Sequence, residues 1–376
     1  MRVEGSLEML GNVCAVSRGT TITQKDAVEG PIPVVAGGLE PTYFHNRANR
    51  PPGIITVSGS GANAGYINYW PVPIFASDCS TVIPRDTEQL DVRYVFFALK
   101  SLQDFVSTEL RHGAAQPHVY AKDIAQLRIF VPPISEQQRL VALLDEAFDS
   151  IAVAKTSAEQ NLKNARALFD SHLETVFSRQ GEGWNEKRVS EIALHSLGKM
   201  LDKAKNKGDA RPYLRNINVR WFTFDLSDLL EMRFLPEEAT KYTAVRGDVL
   251  ICEGGYPGRA AIWNEDDPIY FQKALHRVRF HEPDYNKWFV YFLYSQDKSG
   301  ELRRYFTGAG IQHFTGEVLG RLRLPVAPIS ETRRLVSEIE ELAEETQRLE
   351  AIYKRKSAAL EDLKKALLFQ AFAGEL

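Results

Sequence analysis

Residues 132–141 read PPISEQQRLV, and residues 327–336 read APISETRRLV. The same signal is thus written twice at an offset of 195 positions. Extended backwards, residues 113–141 align with 308–336 without a gap, and 13 of 29 positions are identical. Unrelated segments of average composition would share roughly two. Gly113 and Gly308, His118 and His313, and the pairs Leu127-Arg128 and Leu322-Arg323 are among the identities. The period is far too long for a solenoid repeat. The chain is therefore an internal duplication, each copy running from a globular part into a helical part.

The helical part follows from local chemistry. Pro133 and Pro328 disfavour helix in the residue before them, and Ser135 and Ser330 suit N-caps, with Glu136 and Glu331 at the positive end of the helix dipole. Ser135 and Gln138 also fit a capping box, which Arg333 denies the second copy. No proline or glycine then occurs before Gly181 or Gly374. Each run of about 45 residues would make a helix roughly 65 Å long. The second run carries a heptad seam, Leu335, Ile339, Leu342, Thr346, Leu349 and Tyr353, continuing through Lys356 to Leu360, Leu363 and Leu367. Shifted by 195, the seam of the first run is alanine-rich: Leu140, Leu144, Ala147, Ile151, Ala154 and Ala158, continuing through Asn161 to Ala165, Leu168 and His172. Large residues on one seam can fill room left by small ones on the other, which predicts two long helices packed against each other as a coiled coil.

The globular parts read as α+β. PGIITVSGSGANAGYINYW (52–70) and GDVLICEGGYPGRAAIW (247–263) both read as strand, glycine-rich turn, strand, and shorter helices are expected at 91–110 and 287–305. The glycine loop lacks G-x-G-x-x-G spacing, and no P-loop, hydrolase elbow or metal-ligand histidine spacing occurs. A catalytic centre, a bound cofactor and a metal are therefore not expected in this chain. Cys14, Cys79 and Cys252 form no paired spacing, no run of about 18 apolar residues exists, and the start resembles no signal peptide, so a cytoplasmic protein without disulfides is expected. The net charge of −3 is low for a nucleic-acid binder. Acid is concentrated in the helical runs, however: residues 184–328 hold 22 basic and 19 acidic side chains, against 5 and 8 in 134–183.

Polar loops occur at equivalent places in both copies, RHGAAQPHVY (111–120) and RRYFTGAGIQHFT (303–315). Gln, Arg and His can hydrogen-bond base edges, and glycine amides can approach phosphates. Cations also interleave with aromatics in RPYLRNINVRWF (211–222) and KALHRVRF (273–280). The candidate DNA-contacting residues are Ser58, Ser60, Arg111, Gln116 and His118 in the first copy. In the second they are Tyr213, Arg215, Arg259, Lys273, Arg277, Arg303, Arg304, Gln312 and His313.

Assembled in this order, the chain resembles the specificity subunit of a type I restriction–modification enzyme. IPVVAGGLEPTY (32–43) and YLRNINV (213–219) resemble the openings of two target-recognition domains, IITVSGSGANAG (54–65) and GDVLICEGGYPGR (247–259) their strand-and-glycine-loop cores, and LLFQAFAGEL (367–376) the usual C-terminus. The resemblance implies target-recognition domains at 1–133 and 184–328, joined by conserved spacer helices at 134–183 and 329–376 that pack antiparallel as a coiled coil, with approximate two-fold symmetry. It also implies a non-catalytic subunit that reads a split, asymmetric site in double-stranded DNA. Two methyltransferase and two restriction (motor-nuclease) subunits would be the partners, and S-adenosylmethionine, ATP and magnesium would act in them. The rival reading is a two-headed scaffold whose heads bind protein without DNA sequence specificity.

Overall fold

The computed structural model describes residues 4–373 except 42, 114, 179–180 and 203. The last three residues of the C-terminal motif, 374–376, lie outside the described residues, as does Thr42 of the first opening motif. The chain is α+β, and the duplication extends through both globular parts. In the first head an antiparallel sheet runs in the order Cys14–Arg18, Cys79–Pro84, Ile54–Ser58, Ile67–Trp70. In the second head the order is Ala193–Leu197, Leu275–Phe280, Val249–Cys252, Ala260–Ile262. A smaller sheet accompanies each, built around a parallel pair: Ile32–Val35 with Phe75–Ala76, and Asp209–Leu214 with Ile269–Phe271. A two-stranded ribbon completes each head, Ser6–Met9 with Arg128–Val131 and Asn185–Arg188 with Arg323–Val326. The two strand–glycine–strand readings are thus hairpins, and the expected short helices form at Val92–Ser101, Gln103–Thr108 and Tyr285–Lys298.

The strand before each glycine loop is buried along its whole length because both of its faces are covered. Side chains alternate across a strand. Ile55 and Val57 accordingly join the cluster around Tyr94, Phe97 and Leu99, while Ile54 packs on Val35 and Ile74. In the second head Val249 and Ile251 meet Trp288 and Phe289, while Leu250 and Cys252 meet Leu214 and Phe271. All three cysteines are free and buried, and burial pushes the Cys14 and Cys79 thiols up to about 12 and that of Cys252 to about 11. Among the described residues no helix is long and apolar enough to cross a membrane.

Each long helix has 45 residues, Ile134–Ser178 and Ile329–Ala373. The chain divides into two compact units, residues 1–159 with 354–376, and residues 160–353. Each unit therefore holds one head, the beginning of one long helix and the end of the other. In the first unit Leu140 and Leu144 share the head's core with Leu368 and Ala371, and Lys155 Nζ lies 2.6 Å from Glu361 Oε1. In the second, Phe169, Leu173, Val336 and Ile339 lie in one core, and Arg166 donates to both carboxylate oxygens of Glu350 at 2.8 Å. Early residues of one helix lie beside late residues of the other in both units, so the pairing is antiparallel.

Two details of the helix reading are corrected. Ser135 and Ser330 are not the caps. The Pro133 carbonyl already accepts from the Gln137 amide at 3.1 Å, and that of Pro328 from the Thr332 amide at 2.8 Å, which places both serines inside the first turn. The heptad seam also fails past its middle. Asn161 and Lys356 are exposed and Leu168 is 62 % exposed, while Phe169, Leu173 and Val176 are buried in its stead. In the second helix Leu368 and Ala371 are buried and Leu363 is exposed. Both stripes slip at the same repeat position, keeping step with the 3.6-residue turn instead of the 3.5 of a left-handed supercoil.

The join between head and helix depends on Gln137, which is fully buried. Its amide donates to the carbonyls of Gln89 (2.9 Å) and Pro132 (2.8 Å), and its oxygen accepts from the Asp91 amide (2.9 Å). Gln137→Ala would leave these groups without a partner beside a cavity, so a loss of about 2–4 kcal/mol is expected. Chemical denaturation of the variant checks this, and a change below about 1 kcal/mol would contradict it.

Candidate nucleic-acid interface

In each head a short hairpin lies against the glycine loop. The first is closed by His112 and His118, each amide donating to the other's carbonyl (2.8 and 2.9 Å), and the second by Thr307 and His313 in the same way (2.9 and 2.8 Å). Gly113 and Gly308, one residue inside each closure, have φ of 87° and 108°. A β-carbon on Gly308 would come within 2.2 Å of the Ile311 carbonyl oxygen, so only glycine fits there. The hairpins dock by backbone bonds. Val119 N–H donates to Gly59 (3.0 Å) and Gly61 N–H to Pro117 (3.0 Å) in one head, and Phe314 N–H donates to Glu253 (2.7 Å) in the other. Two loops are thereby fixed side by side in each head, at the end of its central strand. His276 supports the second hairpin from below, its Nε2 2.9 Å from the Phe314 carbonyl, and burial lowers its pKa to about 4. It is therefore neutral and donates through Nε2.

The candidate residues fall into three groups. Ser58, Tyr213 and Arg277 belong to the interior. Tyr213 is 1 % exposed among Met232 and Phe234, and the buried Arg277 donates to the Thr240 and Thr243 carbonyls at 3.1 and 2.6 Å. No ligand reaches them, and they leave the set of contact residues. A second group braces the loops. Ser60 is hydrogen-bonded to Asp78, which also faces Arg18 at 3.9 Å. Arg111 donates from Nε to the Ala64 carbonyl and from Nη2 to that of Ala62, both at 3.0 Å, and so clamps the glycine loop. Arg215 is held by Asp228 at 2.7 Å. Arg259 donates to the Asn216 carbonyl at 3.2 Å and stacks 3.9 Å over the Tyr256 ring.

The third group faces outward. Gln116 is exposed, and His118 stacks parallel to Tyr120 at 6.1 Å. Lys273 is exposed, and Arg304 is paired with Glu301 at 2.5 Å. Arg303 and Gln312 line a cleft of about 400 Å³ with Trp221, Tyr256, Asp297 and Phe306. His313 is half-buried, with its ring against Gly254. The exposed Tyr256 and Ile311 also stand on these loops, within stretches quoted from the sequence but not named individually among the candidates. The repeat held a signal for Ile311, since it occupies the position of Gln116 in the other copy. Hydrogen-bonding groups on rigid paired loops, with glycine amides between them, suit base edges and phosphates. No cluster of metal-binding side chains occurs among the described residues.

The chain is similar to known proteins. Residues 8–163 match the family model of the type I restriction modification DNA specificity domain. The chain is 22 % identical over 343 residues to the type I restriction enzyme MjaVIII specificity subunit of Methanocaldococcus jannaschii, covering 84 % of this chain and 77 % of that protein. Its fold is similar to a chain from a structure described as the structural basis underlying complex assembly and conformational transition of the type I R-M system (TM-score 0.77, 18 % identity, all of both chains). It is also similar to the HsdS subunit from Thermoanaerobacter tengcongensis (TM-score 0.62, 18 % identity, 99 % of this chain and 97 % of that one).

Proposed function

We propose that the chain is a non-catalytic DNA specificity subunit of a type I restriction–modification system, a reading supported by the family model over residues 8–163 and by the similar MjaVIII specificity subunit. Residues 1–133 and 184–328 act as two target-recognition domains, each reading one half of a split site in double-stranded DNA. The helical segments 134–183 and 329–376 set the unread gap between the halves. Two methyltransferase subunits and two motor-nuclease subunits assemble on the approximate two-fold symmetry of the chain, and S-adenosylmethionine, ATP and magnesium are bound by them.

The observation that carries this reading is the pair of loops found twice on the same scaffold with different side chains. Gln116 stands where the second copy has Ile311, and the loop-clamping Arg111 stands where it has Phe306. The scaffold is shared and the lettering differs, so the two half-sites differ and the target is not a palindrome. Mapping methylated bases in cells with and without this gene tests the reading. One bipartite asymmetric motif should disappear with the gene. A palindromic motif, or none, would refute it.

Bracing and contacting residues are separable by salt. Arg303 is exposed in the cleft and makes no ion pair among the described residues. Arg303→Ala should weaken binding to all sequences alike and lower the slope of log K against log salt by about one. Arg111→Ala should leave that slope nearly unchanged and reduce discrimination at the first half-site, because the glycine loop loses its clamp. Titration of cognate and mismatched duplexes at several salt concentrations measures both, and equal slopes in the two variants would contradict the assignment.

A further inference from the structure

Ile311 is the most exposed large apolar side chain among the described residues, at 74 %. Isolated apolar residues are common on protein surfaces and usually mean nothing. This one is placed differently. It stands inside the hairpin closed by Thr307 and His313, and its carbonyl is seated on Gly308, where no other residue fits. The backbone at this point is fixed, so the side chain is held out to solvent next to the exposed Gln312. The equivalent position of the first head holds Gln116, also exposed.

One position on a common hairpin thus offers an amide in one head and a branched alkyl group in the other. The major groove presents partners for each. An amide can pair with the N6 and N7 edge of adenine, whereas an alkyl group has one apolar target there, the 5-methyl of thymine. We infer that Ile311 is a specificity-determining residue that contacts the 5-methyl group of a thymine in the half-site read by the second head. This rests on the DNA-reading function proposed above. An apolar wedge that enters between base pairs and kinks the duplex is the competing mode for an exposed isoleucine. The fixed, shallow hairpin and its hydrogen-bonding counterpart in the first head favour contact at the groove surface.

Deoxyuridine differs from thymidine only by that methyl group, which makes the test direct. The complex of the full chain with its methyltransferase subunits is titrated with cognate duplex, in which each thymine of the second half-site is replaced singly by deoxyuridine. One replacement should weaken binding about three- to ten-fold, the scale of one buried methyl or a little more. In Ile311→Ala, an exposed position where folding is undisturbed, unmodified DNA should bind about that much more weakly. The same deoxyuridine should then have no further effect, as expected of two groups that share one contact. Equal responses in the wild-type and variant complexes, no response at any thymine, or a second half-site without thymine on either strand would overturn the assignment. A wedge would show bending of the DNA with indifference to the methyl group, and would also overturn it. Failure of the unmodified complex to select any sequence would sink the DNA-reading function itself, and is seen before deoxyuridine is introduced.

Discussion

Exchanging residues 1–133 for the corresponding head of another specificity subunit should rewrite one half of the methylated motif and leave the other half intact. Affinity for the original site should fall about a thousand-fold or more, because each wrong base pair costs about 1–3 kcal/mol and a half-site contains several. The two heads do not share recognition loops: Gly59–Gly65 packs on the hairpin at 112–118, and Gly254–Gly258 on that at 307–313. The boundary is chemically demanding, however. The first head's core continues past Pro133 into Leu140 and Leu144, and takes in Leu368 and Ala371 from the second long helix. Gln137 requires two carbonyls and an amide from whatever head precedes it. The incoming head must therefore offer a buried aromatic surface like that of Tyr94 and Phe97, or the chimera will misfold before it misreads. Methylation mapping of a folded chimera decides the matter, and alteration of both half-sites would show that the heads do not read independently.

The two-copy plan was legible because it rests on punctuation and periodicity. Pro133 and Pro328, the glycines with left-handed backbone, and helical runs free of proline and glycine are local signals that do not depend on what packs against them. What failed was anything decided by a distant neighbour. Arg277 lies on a strand between Ser196 and Leu250, and its burial depends on the Thr240 and Thr243 carbonyls some thirty-five residues earlier. Tyr213 belongs to a strand whose inner face is set by Phe234 and Tyr270. The position of the seam past Ala158 could not follow from a heptad count, because Phe169 and Leu173 are drawn inward by the second head, around Trp288 and Tyr294. Conversely Ile311 lay within the quoted loop 303–315 without being singled out, and its place on a glycine-seated hairpin shows that it faces out.

If the helix pair sets the gap between half-sites, lengthening it should follow the helical repeat of DNA and not length alone. The register to preserve is given by Lys155 with Glu361 and Arg166 with Glu350, eleven residues apart on each helix. Matched insertions after Gln160 and after Arg355 fall between these pairs and disturb neither. One heptad adds about 10 Å, or roughly three base pairs, which turns the far half-site by about 100° around the DNA axis. Its bases then face away from the second head, and binding should fall more than about a hundred-fold, since one half-site's contacts are lost. An insertion of twenty-two residues comes within about 40° of six whole turns at 3.6 residues per turn, so the buried stripe stays nearly in phase. It adds about 33 Å, close to ten base pairs and nearly one full turn of the duplex. That longer variant should recover most of the lost affinity on DNA whose gap is about ten base pairs wider, with both half-site sequences unchanged. Selection of bound sequences from a pool with randomised gap lengths measures this, with circular dichroism to confirm that each variant remains helical. A folded heptad variant that still prefers the original gap at full affinity would show that the helices do not measure the site.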